Sequence, residues 1–466
     1  MARKSKEEMN QIKKDMNVDT LYSWSRFNTW KRDTYEYFLK YVIRAKEDKT
    51  NSFYSVGGGT LHDTIEDYYL GKVDKCNLSK IYRDETDRLL TLGLRFDRTN
   101  KEKNDKIALK YLSCNQHFFD NFIPVDEALE TKKMTLEEFI TIKVGHFGFI
   151  GYIDATQEYI DKEGKDKLKI IDWKSSTIYK GEKVIKERGQ LLLYALGKIQ
   201  EGWAIEDITI GWMFTKYVYV DVPNKDSFKT RIIERNEIGS KLLASVKAQL
   251  KKCRLYDEVD ADNYISKLVS TKSLEGMPEV VFNFVDEIET TANGELKKAF
   301  INKVRKAILG AEKYTEEVKD EMCSDMILEN SIDVLPEEIK SLYTVRDCFV
   351  EIPFEMEDLD NLKQDIKDFI VESEKLKFMY SKSEDDSLFY QKIEGNDTYF
   401  LANLCGYSSK LHKPYADYLE KRRQERGLLE EDDENGVEDN QSEEEETAEM
   451  LALYAELGID MDNIRD

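Results

Sequence analysis

The stretch KIIDWKSS, residues 169–176, decides how this chain is read. Ile170, Ile171 and Trp173 give it the character of a buried β-strand. Asp172 and Lys174 then place two charges in apolar territory. Side chains at i and i+2 share a strand face, so Asp172 and Lys174 point one way and Trp173 the other. Such charges either pair at a sheet edge or are placed for chemistry.

Upstream, HFGFIGYIDATQEYI (146–160), rich in β-branched and aromatic residues, and ALETKK (128–133) predict strands. The polar linker DKEGKDK (161–167), with its single glycine, predicts a hairpin between the last two strands. Downstream, KVIKERGQLLLYALGKIQEG (183–202) predicts a helix and ITIGWMFTKYVYVDV (208–222) a further strand. On the N-terminal side, LYSWSRFNTWKRDTYEYFLKYV (21–42) predicts one amphipathic helix anchored by aromatics. SVGGG (55–59) predicts a glycine-rich turn, and Thr60 the cap of a helix over TLHDTIEDYYLGK. The order helix–strand–strand–strand–helix–strand predicts an α/β fold, a mixed central sheet covered by helices.

Composition bounds the rest. The 466 residues are 41% hydrophobic and 35% charged, with a net charge of −23. Residues 427–466 carry 16 Asp or Glu and one Arg, so the remainder holds only about −8 and a nucleic-acid partner stays open. The opening MARKSKEEMNQIKKDM lacks an apolar signal core, and no run of about 18 apolar residues predicts a membrane span. Six scattered Cys predict reduced, cytoplasmic thiols. No GxxxxGK[ST] pattern marks an ATP-driven motor.

Asp154 closes GFIGYID on the strand expected beside KIIDWK. Two carboxylates brought close on one face repel unless a cation lies between them. Oxygen ligands with retained waters suit Mg²⁺, which binds a phosphodiester oxygen and acidifies a bound water. Lys174 beside them could orient or deprotonate that water and offset charge in the transition state. His62 and Glu66 lie at i, i+4 on one helix face, with His62 a candidate nitrogen ligand and Glu66 a structural residue. Gln190 and Tyr194 repeat the spacing on another helix and could hold the site lysine or a DNA phosphate. Glu130, near the first strand, is a possible further acid.

The set GGGTLH, GFIGYID, IIDWKSS and RGQLLLYALG resembles the PD-(D/E)XK nuclease superfamily, and within it the RecB-like branch that includes the CRISPR-adaptation nucleases. The resemblance implies a restriction-endonuclease-like core. It implies His62, Asp154, Asp172 and the Trp173 carbonyl as metal contacts, with Mg²⁺ replaceable by Mn²⁺. It implies Asp154, Asp172 and Lys174 as catalytic residues, and Gln190 with Tyr194 as the supporting pair. Residues 31–36 (KRDTYE) hold no Cys and the late segment keeps only Cys405, so no iron–sulfur cluster is expected and packing alone must tie the terminal segments.

Four regions follow: a nuclease core over 1–225, a helical elaboration over 226–345, a C-terminal segment over 346–426 packing back on the core, and an acidic, disordered tail over 427–466 ending in a short amphipathic helix. The function expected is a metal-dependent DNA exonuclease of replication, recombination or repair in a phage-infected or prokaryotic cytoplasm. The tail is the candidate contact for a replication or recombination protein. The alternatives are a structure-selective endonuclease and a non-catalytic DNA- or replisome-binding protein on the same fold.

Overall fold

The computed structural model describes residues 4–50, 52–125, 130–225, 227–395 and 397–433, with 426–433 as helical backbone. These form two compact units, residues 4–32 with 50–383 and residues 33–49 with 384–433. The acidic tail and its amphipathic end lie, beyond residue 433, outside the described residues.

The first unit is built on seven strands: β1 (Leu21–Ser23), β2 (Glu130–Val144), β3 (Phe147–Ile160), β4 (Asp166–Lys174), β5 (Ile208–Asn224), β6 (Ser227–Glu234) and β7 (Thr344–Glu351). The order is β1-β3-β4-β5-β6, with β2 also on β3 and β7 also on β5. β1/β3 and β4/β5 are parallel and the other pairs antiparallel, the mixed sheet that the element order predicts. The β3–β4 hairpin turns at Gly164, whose φ of 79° suits a residue without a Cβ. The parallel β4 and β5 need a crossover, and the helix Gly189–Gln200 supplies it.

Helices cover both faces of the sheet. On one, Leu61 and Ile65 of the helix Phe53–Tyr69 join Tyr82, Phe118 and Phe119 over Leu136, Ala155, Ile171 and Trp173. On the other lies the helix Gly189–Gln200. A Cβ at its Gly197 would stand 2.4 Å from the Ile140 side chain, so the absent methyl allows close helix–sheet contact. No helix among the described residues is long and apolar enough to cross a membrane.

Three local expectations are corrected. Glycines 57–59 lie inside the helix Phe53–Tyr69, which starts seven residues before Thr60; tertiary burial of Phe53 and Leu61 overrides the poor helix propensity of glycine. Residues 21–42 are not one helix but β1, the helices Trp24–Arg32 and Thr34–Tyr37, and a π-helical turn over Phe38–Val42. Asp33 causes the break, because its carboxylate caps the backbone N–H groups of Tyr35 and Glu36. Residues 226–345 are not wholly helical, since they include β6. Their helices Ile238–Leu250 and Glu316–Leu328 build a core with Val218, Val220 and Ile233 of the β5–β6 hairpin. A separate small core holds Ala261, Leu268, Val281, Phe300, Val304 and Ile308.

In the second unit the early and late segments are tied by more than packing. His412 Nε2 lies 2.9 Å from Asp33, Tyr35 donates to Asp386 at 2.8 Å, and the Ser408 N–H donates to Asp48 at 2.7 Å. Cys405 is fully buried in the same unit.

Candidate active site

A gap in the sheet creates the site. β3 carries β2 along one side. On its other side it carries β4 over Ala155–Ile160 and β1 over Gly148–Ile150. Residues 151–154 have no strand there. The β3–β4 ladder stops at Ala155 and Ile171, and in place of the next backbone bond the Trp173 N–H donates to Asp154 Oδ2 at 3.1 Å. Asp172 thus stands across from Asp154 on one side. On the other, Glu137 of β2 falls between the pairs Leu136–Ala155 and Glu138–Ile153. Three acids from three strands form one row.

The helix Phe53–Tyr69 brings His62 to this row. His62 Nδ1 lies 3.4 Å from Asp154 Oδ2, and Nε2 lies 3.0 Å from the Trp173 carbonyl oxygen. That carbonyl can only accept, so Nε2 carries the proton and Nδ1 presents its lone pair to the acids. Ligand atoms of His62, Glu137 and Asp154 all lie within 4.8 Å of one another. Burial pulls the imidazole below its usual range, Asp172 opposing and Lys174 reinforcing, which keeps His62 neutral.

Asp172 is buried within a strand covered on both faces, where an unpaired charge is costly. Lys174 Nζ answers it, donating to Oδ1 at 2.9 Å. Oδ2 lies 2.8 Å from the same nitrogen but accepts no hydrogen bond. Burial lowers the Lys174 ammonium, yet Asp172 and then Asp154 outweigh it, so its pKa ends raised and the group stays charged. Asp154 is pushed well up, first by burial and then by the negative charge of Asp172. Glu137 is raised by burial and next by Glu66.

Glu137 is the residue that sequence reasoning missed. Its φ is 45°, a left-handed conformation in the middle of a strand. Leu136 packs with Leu61 and Ile65, whereas Glu138, two residues on, reaches Lys198 of the opposite helix at 2.6 Å. The two-residue alternation therefore breaks at Glu137. Its only signal in the sequence is a doubled acid, Glu137–Glu138, in an alternating strand. Glu130 is corrected: it pairs with Ile160, six residues along β3 from Asp154 and, at about 3.3 Å per residue, roughly 20 Å away.

Gln190 and Tyr194 stand behind the row. Gln190 Nε2 donates to the Tyr194 hydroxyl at 2.9 Å, and that hydroxyl donates to the Tyr152 carbonyl at 2.7 Å. Tyr194 reaches β3 rather than Lys174. Gly151 makes room for it, since a Cβ there would meet the Tyr194 ring at 2.8 Å. The pair thus props the unpaired segment 151–154 from one face.

The donor set fits a divalent cation. One neutral imidazole nitrogen and several carboxylate oxygens suit Mg²⁺ or Mn²⁺. The Asp172 Oδ2 is buried and accepts no hydrogen bond, having only the Lys174 ammonium at 2.8 Å, and the raised Asp154 and Glu137 are carboxylates short of positive charge. A family model described as the PD-(D/E)XK nuclease superfamily matches residues 22–283, a span containing every residue of the site. No curated protein matches the chain.

Proposed function

The chain belongs to the PD-(D/E)XK nuclease superfamily, and on that premise we propose that it is a Mg²⁺-dependent deoxyribonuclease of the RecB-like branch, acting as an exonuclease in replication, recombination or repair. The observation that carries this reading is the cluster of His62, Glu137 and Asp154, beside Asp172 of the adjoining strand, which is paired with Lys174.

In this reading His62, Glu137, Asp154 and Asp172 would hold the cation, which would supply a Lewis acid for the phosphodiester oxygen and acidify water. Lys174, kept as an ammonium, donates to the attacking water or to a phosphate oxygen and offsets negative charge as it develops. The neutral His62, locked by the Trp173 carbonyl, offers the same nitrogen to the cation throughout. Gln190 and Tyr194 fix the height of Asp154 through β3.

The test is digestion of circular and linear, single- and double-stranded DNA by the full chain in Mg²⁺, Mn²⁺ or EDTA. Linear DNA should be degraded from its ends to 5′-phosphorylated products, only with metal, and Asp172→Asn or Lys174→Met should reduce the rate at least 100-fold. Full activity in either variant would remove the assignment. Cutting of closed circles would replace exonuclease with endonuclease.

A further inference from the structure

A lobe beyond the catalytic row carries charges that do not serve its fold. Arg254 and Glu312 close it with an isolated bridge, and the Leu255 N–H donates to the Ala311 carbonyl at 2.9 Å. Its helix Lys298–Gly310 buries Phe300, Val304, Ala307 and Ile308 and exposes Lys298, Asn302, Lys303 and Lys306. The helix contains four cations and no acid, in a chain of net charge −23.

Arg305 is paired with Glu258 and Asp262, and the adjoining Lys297 with Glu289 at 3.4 Å. Lys298, Lys303 and Lys306 have no hydrogen-bond or ion-pair partner among the described residues. Their placement opposes helix stability. Lys298 stands in the first turn, where the helix dipole disfavours a cation, and Lys303 and Lys306 repel at i, i+3. A local rule broken with no structural return points to a ligand.

The same lobe exposes two aromatics. Phe282 and Phe284 are 49% and 54% exposed and make no ring contact among the described residues. The helix Glu279–Phe282 packs on the cationic helix through Val281, which shares a core with Val304 and Ile308. Unpaired cations with free aromatic faces suit a strand whose phosphates are charged and whose bases are unstacked.

We propose that this lobe is a docking surface for single-stranded nucleic acid, with phosphates on Lys298, Lys303 and Lys306 and bases on Phe282 and Phe284. The proposal rests on the nuclease reading, because the strand bound is the strand to be processed. It assigns a role to residues 298–310, which lie outside the family match over 22–283.

The test measures anisotropy of a labelled 30-nucleotide single strand with the full chain in EDTA, from 50 to 200 mM KCl. Three phosphate contacts at about 0.7 each predict that Lys298→Ala/Lys303→Ala/Lys306→Ala lowers the salt slope by about 2. The parent should then lose about 18-fold more affinity across that range than the variant. The triple Lys→Arg variant should keep the parent slope. Phe282→Ala/Phe284→Ala should weaken single-strand binding at least five-fold and leave duplex binding unchanged. A triple-alanine slope equal to the parent's, or equal loss on duplex and single strand, overturns the docking surface and leaves the nuclease reading standing. A parent chain that binds no nucleic acid overturns both.

Discussion

Replacing Asp154 with Asn should reverse what a divalent cation does for stability. Ligand atoms of Asp154 and Glu137 lie within 4.8 Å of each other. Two ionised carboxylates at that separation repel by about 3.5 kcal/mol at an effective dielectric near 20. The cation-free fold relieves part of this by holding a proton, since Asp154 is raised by burial and by Asp172. A folded pKa above the unfolded one gives stability that is complete below the unfolded value and lost as pH rises through the folded value. In EDTA the wild type therefore bears more of the strain as the pH rises. Asn has the same size and can still accept the Trp173 N–H, so no cavity forms and the variant should gain about 1–3 kcal/mol.

With Mn²⁺ at a hundredfold excess over its dissociation constant, the wild type should gain about 2.7 kcal/mol and the variant far less. Urea unfolding followed by tryptophan fluorescence reads this directly, because all five tryptophans (24, 30, 173, 203 and 212) lie in the first unit. The expected result is a crossing: variant above wild type in EDTA, below it in Mn²⁺. Equal Mn²⁺ shifts in the two proteins, or a variant less stable in EDTA, would refute the reasoning.

Two further outcomes are expected. Glu137→Gly relieves a left-handed backbone at φ 45° and should raise stability in EDTA by about 1 kcal/mol while abolishing the Mn²⁺ shift and DNA cleavage; a melting temperature below wild type refutes it. His412→Ala leaves the buried Asp33 carboxylate with only the Tyr35 and Glu36 N–H groups and should destabilise the second unit by about 3 kcal/mol. Burial pushes Asp33 up, but the His412 contact and the backbone bonds outweigh it, so its pKa lies below the ordinary value. Its stabilisation is complete above the unfolded carboxylate pKa and lost as pH falls through the folded one. Hydrogen exchange over residues 384–425 should therefore show the wild type–variant difference shrinking below about pH 4; a constant difference contradicts it.

The parts of the fold legible in the sequence are those fixed by local pattern. β4 was readable because apolar residues flank a charge pair at i, i+2, and the β3–β4 hairpin because one glycine sits in a polar linker. His62, Asp154, Asp172 and Lys174 lie on such elements, and the structure brings them together. What sequence pattern does not carry is register. Glu130 lies near the first strand that the pattern predicts, but β2 runs fifteen residues and meets Asp154 seven residues later, at Glu137. The glycines at 57–59 predict a turn but lie in a helix for a related reason: turn propensity is local, whereas the burial of Phe53 that extends the helix is tertiary.

Apart from a bulge between Thr131 and Lys133 near the far end of β2, the irregularities of the sheet fall on one line. Glu137 breaks alternation in β2, β3 lacks a strand on the side of 151–154 away from β2, and the β3–β4 ladder ends before Asp172. Further along, β5 inserts four residues, 214–217, against one of β7, starting at Phe214, the partner of Lys174. Within that insertion the Thr215 hydroxyl bonds Asn115 at 2.6 Å and lies 3.3 Å from the Lys174 carbonyl. A regular sheet would bury this row of acids between two helical layers with no route to water or substrate. Opening the ladder at each successive strand gives the carboxylates an exit, and bulges beside a site re-aim side chains in this way. Regular pairing is therefore lost along the row itself, and the surrounding cores, from Leu61 and Trp173 to Val220 and Leu242, hold the opened strands in place.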